Sequence, residues 1–511
     1  MRRYIVRDVE LILGSPGCGK TTKLLNIVDS ALQAGILPDE IAFSSFTRKA
    51  ANEAATRACN KFGFERKELP YFRTLHSTAF RSLGLNKHDI ITDYSEIADT
   101  VGIPLSISPD ATTFLPSGTG RYQEIPFLEA LARNRLCSLQ DQWHDWQAEN
   151  PNEFIDWHII ELYARTLKSY KQDMGLYDYT DILQRFITEG CVLPVKLLII
   201  DEAQDLSKLQ WEMIACAGRA ASKVIIAGDD DQSIFEWAGA DINTFLNLEG
   251  KKEVLQYSHR LPRSVFNVAH NVASRIRNRY AKIWYPRNEE GEVLQVNALD
   301  QVDIIPGERY MFLARNHYFL NEAIEYIRTA GYFYALNNNP HSVKTEYLTA
   351  IQYWERLRKN ERLPVEQVQL IYDYIRPNHG ITPAAKKSLA RLPDNTQLSI
   401  NELLDKHGLR CSSLWHNSLT GIPLEEREYI LLCLRNGEKI TEAPRIYIGT
   451  VHSVKGGEAE NVIFIPDLSR LSWKSYQHNE DAENRVLYVA LTRSIKRLIT
   501  VFPQTSRHYY L

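Results

Sequence analysis

The chain has 511 residues, 44% hydrophobic and 24% charged, a balance that excludes a disordered or fibrous polypeptide and a length that exceeds a single core. With a formal net charge of -3 it lacks the basic excess of a protein that coats nucleic acid, so any contact with DNA has to be local. Its cysteines, at 18, 59, 137, 191, 216, 411 and 433, show no C-x-x-C spacing, which excludes a disulfide framework or a zinc ribbon and fits a reducing compartment.

The start, MRRYIVRDVELILG, is interrupted by Arg7, Asp8 and Glu10 and reads as a buried strand rather than a targeting segment. No run of eighteen apolar residues occurs anywhere, so a soluble, cytoplasmic chain without membrane contact is expected. GSPGCGKT follows the strand and satisfies G-x-x-x-x-G-K-[ST] ahead of a helical pattern from Thr21 through Ala34. In that context Gly14, Ser15, Pro16, Gly17, Cys18, Gly19, Lys20 and Thr21 form a phosphate cradle. The glycines let backbone N–H groups close on phosphate oxygens, Lys20 neutralises the terminal phosphates, and the Thr21 hydroxyl is placed to ligate magnesium (Mg2+).

A second strand, IAFSSF, precedes the alanine-rich helix TRKAANEAATRACNKFG, and strands alternating with helices predict a parallel sheet covered on both faces. From about Asn86 to Gly175 the pattern changes to helices containing Trp and Tyr, read as an insertion. VKLLIIDEAQD and SKVIIAGDDDQ then read as buried strands with acids at their carboxyl ends, where ligands of parallel sheets sit. Asp201 is the expected magnesium-shell acid, and Glu202, pointing past the metal, is the expected group that polarises the attacking water.

Beyond Tyr257 the alternation resumes with RYMFLARN, FLNEAIEYIRTAGY, RIYIGTVHS and NVIFIPD, predicting a second parallel-sheet domain interrupted by a polar helical stretch from about Asn337 to Glu442. The expected division is 1–86 and 175–256 for the first domain, 87–174 for its insertion, 257–336 and 443–511 for the second domain, and 337–442 for its insertion. His407, Cys411 and His416 lie close together without a fourth ligand, so no zinc site is expected.

The phosphate loop is followed in order by SFTRKAANEA, FRTLHSTAF, YDYTDIL, DEAQD, GDDDQSIFEWAGAD, HRLP, GTVHSVKGGEAENVIF and VLYVALTRS. On these motifs the chain resembles UvrD/Rep-type superfamily 1 DNA helicases from Gly14 to about Arg497. The resemblance implies an α/β fold of two RecA-like P-loop NTPase domains, ATP between them and single-stranded DNA across their top. It places Gln232 at the terminal phosphate and Phe235 and Trp237 on DNA bases, so that one loop joins both sites. Stacking suits a translocase because each stack is worth about 1–3 kcal/mol whatever the base.

The same resemblance assigns Phe46 to a base and Thr47 to a phosphate, sets Thr74 and His76 facing the strand, and makes Thr450 and His452 the matching pair in the second domain. Taken alone, such hydroxyls read as helix caps. Arg260 and Arg493 match two arginines that reach the γ-phosphate, where such a finger is worth about 10³–10⁵ in rate, and Glu458 matches a contact to the nucleotide sugar. Polarity of 3′ to 5′ and action at duplex junctions in DNA repair or replication are implied on the same ground.

Some positions depart from the family pattern. No adenine-reading glutamine stands upstream of Gly14, Thr22 replaces an arginine that lies on the base, and His259 replaces a tyrosine. Looser nucleobase selection is the resulting expectation. Two other readings are compatible with a phosphate loop: an ATPase that clamps or remodels protein–DNA complexes without unwinding, and a P-loop enzyme acting on a small molecule. The second of these leaves the aromatics after Gln232 without a role.

Overall fold

The computed structural model describes residues 8–104, 122, 124–150, 153–337, 339–377 and 379–511. Strand β1 (Val9–Gly14) is apolar on both faces because both are covered: Leu11 and Leu13 belong to one core and Ile12 to another. With β2 (Ile41–Ser45), β3 (Leu197–Asp201), β4 (Lys223–Gly228) and β5 (Lys251–Leu255) it forms a sheet of order β2-β3-β4-β1-β5, parallel throughout. Helices α1 (Lys20–Gln33) and α2 (Arg48–Phe62) cover one face, and α2 approaches closely because it presents Ala54, Ala55 and Ala58 to Ile12 and Phe43.

Helix α3 (Leu75–Ser82) lies on the opposite face. The insertion follows as α4 (Ser95–Val101), α5 (Glu124–Arg135), α6 (Leu139–Glu149) and α7 (Trp157–Met174), which share a core of Ile97, Ile125, Leu128, Trp146, Ile160 and Tyr163. The chain then returns through α8 (Tyr179–Thr188), which packs beside α3 through Ile182, Leu183 and Phe186. Arg133 of α5 and Lys171 of α7 both reach Asp178, at 2.6 Å each, and Asp181, at 2.9 and 2.5 Å. Burial opposes ionisation of Asp178, yet the two cations hold its carboxyl well below the usual range, so the insertion is tied by charge to the start of α8.

The second unit carries a sheet of β6 (Glu292–Val296), β7 (Tyr310–Ala314), β8 (Tyr334–Leu336), β11 (Ile446–Thr450), β12 (Ala459–Ile465) and β13 (Ser494–Val501). Its order is β6-β13-β12-β7-β11-β8, all parallel, and a separate two-residue ladder pairs β9 (Leu363–Pro364) with β10 (Gln397–Leu398). The helices between Thr345 and Arg435 share one core with this sheet, joining Trp354, Ile371 and Ile430 to Tyr310, Phe312 and Ile448.

Residues 8–290 and 478–492 cluster as one compact unit and 291–477 with 493–511 as the other. The boundary therefore differs from the expected one: residues 257–290 and the helix Glu480–Leu491 join the first unit. Hydrogen bonds explain the shift, since Ser258 Oγ donates to Pro16 O at 2.7 Å and the His259 amide to Gly17 O at 2.8 Å. Strands β5, β6, β8 and β13 are not legible in the sequence: β8 has three residues, and β5, β6 and β13 mix charged or polar residues into their apolar runs. Among the described residues no helix is long and apolar enough to cross a membrane.

Candidate functional site

The phosphate loop runs from the end of β1 into α1. Gly17 has φ +74° and its missing Cβ would fall 2.3 Å from Arg260 Cβ, so no side chain fits there. Gly19 caps α1 without a side chain, leaving the first-turn amides directed at a ligand position. Lys20 Nζ donates to Gly14 O at 2.8 Å. Burial opposes its charge, but Cys18, Glu202, Asp229 and Asp201 together hold the ammonium above its usual pKa. Ser15, Pro16 and Cys18 are buried within the loop, whereas Thr21 is half-buried and Thr22 exposed.

Asp201 ends β3, and its carboxyl is pushed up to about 7 by burial and by neighbouring Glu202. Glu202 adopts a left-handed backbone, φ +55°, an uncommon conformation for a residue with a side chain and one that re-aims its carboxylate. Gln204 ties the two acid-bearing strand ends together. Its Nε2 donates to Glu202 Oε2 at 2.6 Å and its Oε1 accepts from the Asp229 amide at 3.0 Å. Its backbone oxygen accepts from Ser233 Oγ at 2.9 Å. Gln232 is buried and donates to Asp229 Oδ2 at 2.8 Å.

The acids of GDDDQ are fully buried and belong to an ion cage. Lys282, also without side-chain exposure, bonds Asp229 at 2.7 Å, Asp231 at 3.0 Å and Asp230, while Arg279 holds Asp231 through Nε at 2.8 Å and Nη2 at 2.5 Å. The carboxylates Asp229, Asp230 and Asp231 converge closely enough for a metal, but the Lys282 ammonium occupies the space between them. Burial alone would neutralise Lys282; the three carboxylates instead push its pKa up.

Beyond Gln232 the loop presents a row of half-buried rings. Phe46 stacks on Phe235 at 5.5 Å, Phe235 lies 6.4 Å from Trp237, and Trp237 stacks on Phe127 of α5 at 6.2 Å. Thr47 caps α2 and Thr74 caps α3, their oxygens accepting from Ala50 N at 3.1 Å and Ser77 N at 3.3 Å. The cap leaves each hydroxyl hydrogen available to a phosphate at a helix N-terminus. His76, set edge-on to Tyr179, is pushed down to about 4 by burial and by Arg48, so it is neutral at physiological pH.

Arg260 sits against the phosphate loop and its Nη1 donates to Thr492 O at 3.4 Å, so it belongs to the first unit and not, as expected from sequence, to the second. Arg493 is in the second unit, 2% exposed, with Nη1 donating to Gly457 O at 3.3 Å. Its backbone oxygen accepts from Ala459 N at 3.1 Å, which brings it beside exposed Glu458. Thr450 and His452 follow at the carboxyl end of β11, both half-buried.

Three participants were not singled out from sequence. Gln204 lies inside DEAQD and so carries a motif signal; Lys282 and Phe127 sit 51 residues after Asp231 and 110 residues before Trp237, where no spacing rule reaches.

The UvrD/REP helicase N-terminal domain matches residues 4–253 and the UvrD-like helicase C-terminal domain matches residues 445–501. The ATP-dependent DNA helicase srs2 of Schizosaccharomyces pombe is 29% identical over 53% of this chain and 34% of its own length. The ATP-dependent DNA helicase PcrA of Staphylococcus epidermidis is 24% identical over 56% of this chain and 40% of its own. The ATP-dependent DNA helicase Rep of Buchnera aphidicola is 25% identical over 56% and 44%. The chain thus spans less than half the length of these relatives. A solved PRRSV helicase overlays with a TM-score of 0.33 at 10% identity, over 98% of this chain and 53% of that one.

Proposed function

Because the chain belongs to the UvrD/Rep family of superfamily 1 helicases, we propose that it is an ATP-dependent translocase on single-stranded DNA that moves 3′ to 5′ and opens duplex at junctions. The observation that supports this reading most is the loop after β4. Gln232 at one end is bonded to Asp229 beside the acids of β3, and at the other end Phe235 and Trp237 join a row of aromatic rings. A displacement of Gln232 therefore reaches Phe235 through three peptide units and Trp237 through five.

In this reading the amides of the phosphate loop and Lys20 bind the phosphates, Glu202 takes the proton of the attacking water, and Gln232, Arg260 and Arg493 respond to the γ-phosphate. Glu458 contacts the nucleotide sugar. Thr21 and Asp201 would hold magnesium, and their oxygens fit a hard divalent cation; a buried Asp201 raised to about 7 is stabilised as a carboxylate by such an ion. Bound there, magnesium would neutralise charge on the β- and γ-phosphate oxygens. Phe46, Phe235 and Trp237 grip bases, Thr47 and Thr74 hold phosphates, His76 faces the strand as a neutral ring, and Thr450 and His452 serve the second unit.

The test is steady-state ATP hydrolysis with and without single-stranded DNA. Wild-type hydrolysis is expected to rise with DNA, and Trp237→Ala to raise the DNA concentration for half-maximal stimulation about tenfold, the loss of one stack. Hydrolysis indifferent to DNA overturns the translocase reading. Stimulation without strand separation on a tailed duplex assigns the clamp instead.

A second expectation concerns the base. Thr22 and the exposed His259 stand where the family pattern puts an arginine and a tyrosine against it, so ATP and GTP should be hydrolysed at near-equal rates. Strict dependence on ATP in a nucleotide competition assay is the opposing result.

A further inference from the structure

The structure assigns to Glu236 the role of a positioning residue that makes the base-stacking turn and the phosphate-responsive end of the same loop one rigid body. The inference rests on the proposed roles of Gln232, Phe235 and Trp237. Glu236 lies between the two rings and is held from three directions within the first unit. Arg485 Nη1 donates to its Oε1 at 3.3 Å, Asn479 Nδ2 to its Oε2 at 3.2 Å, and Arg135 Nη2 to its backbone oxygen at 3.1 Å.

Arg485 explains why these bonds matter. Its side chain is almost fully buried, and its fork is shared among Glu236, Asp230 O at 3.0 Å and Asn278 O at 2.6 Å. Asp230 precedes Gln232 and Glu236 precedes Trp237, so one planar guanidinium spans both ends of the segment that joins the two sites. Asp230 is itself locked by Lys282 and by the Tyr280 amide at 2.8 Å. The phosphate-responsive end is thereby anchored to the ion cage, and Glu236 anchors the aromatic end to the same frame. Arg135, on the helix that carries Phe127, extends the frame to the last ring of the row. Two further contacts close the turn: the Gly239 amide donates to Glu236 O at 3.0 Å, and a Cβ on Gly239 would meet Leu131 Cδ1 at 3.1 Å.

Coupling between two sites requires an element whose arrangement both of them bias. Releasing Glu236 lets the turn relax without moving Gln232, so the two sites still bind their ligands but stop reporting to each other. Glu236→Ala is the test, read against wild type and Glu236→Gln, which keeps an oxygen for Arg485. Two ratios are measured on the full chain: DNA stimulation of ATP hydrolysis, and the change in single-stranded DNA affinity caused by a non-hydrolysable ATP analogue.

Expected for Glu236→Ala are basal kcat and KM for ATP within about twofold of wild type and both ratios reduced about tenfold, with Glu236→Gln recovering most of each. Wild-type ratios in Glu236→Ala overturn the inference. So does a parallel fall of basal kcat with no recovery in Glu236→Gln, which marks a merely structural residue. Absence of DNA stimulation in the wild type itself overturns the translocase reading along with this inference, and is distinguished by requiring no variant.

Discussion

Lys282→Ala is expected to destabilise the first unit by about 3–5 kcal/mol, the cost of removing one partner from a buried ionic cluster. The reason is arithmetic of charge. Asp229, Asp230 and Asp231 have no side-chain exposure, and Lys282 is bonded to all of them. Among these acids Arg279 bonds Asp231, so Asp230 loses its ammonium partner and Asp229 keeps only the more distant charge of Lys20. Lys282→Met should behave alike, because filling the volume does not neutralise the acids.

The pH dependence carries a sign. Without the ammonium, burial disfavours the charged form of these carboxylates, so protonation is favoured in the folded state over the unfolded one. Such groups stabilise the fold below the unfolded pKa and lose that contribution as pH rises through the folded one. Already in the wild type burial and its acidic neighbours hold Asp231 at about 6. The deficit of Lys282→Ala should therefore narrow on going from pH 8 to pH 5, measured by chemical denaturation at each pH. A variant as stable as wild type at pH 8 would show that the cage is not the anchor of this loop.

Glu202→Gln is expected to lower kcat by about 10²–10⁴ while leaving nucleotide affinity near the wild-type value, because an amide cannot accept the proton of an attacking water. The structure supports a clean comparison. Glu202 is held by a left-handed backbone and by Gln204 Nε2 at 2.6 Å, and the glutamine carbonyl preserves that bond. Single-turnover hydrolysis and equilibrium binding of a fluorescent nucleotide separate the two effects. Hydrolysis at the wild-type rate would move the base to another group. Asp201→Asn should differ in kind, raising the magnesium concentration needed for activity, since it removes a proposed metal oxygen rather than the base.

Local chemistry was legible in the sequence wherever the chain itself makes the geometry. The loop Gly14 to Thr21 is a strand, turn and helix in consecutive residues, and VELILG, IAFSSF, LLIID and KVIIAG are apolar because parallel strands are buried on both faces. The motif order also identified the family. The same reasoning could not see the edge strands β5, β6 and β8, whose short or partly polar sequences carry no alternation that a loop would lack.

What the sequence by itself determined was therefore the family, through the phosphate-loop pattern and the motif order, and it singled out the acids at the ends of β3 and β4 and the rings after Gln232 as the parts proposed to work. Only the tertiary structure decided which unit holds Arg260, that GDDDQ is caged by Lys282 and Arg279, that Gln204 joins the two acid-bearing strand ends, and that Phe127 extends the ring row. The division has a physical cause. Cradles, strands and caps arise from dihedral preferences and burial periodicity over a few consecutive residues. Buried charges instead take whatever counter-charge the fold delivers, and here Lys282 and Arg485 lie 51 and 249 residues beyond the carboxylates of Asp231 and Glu236 that they hold.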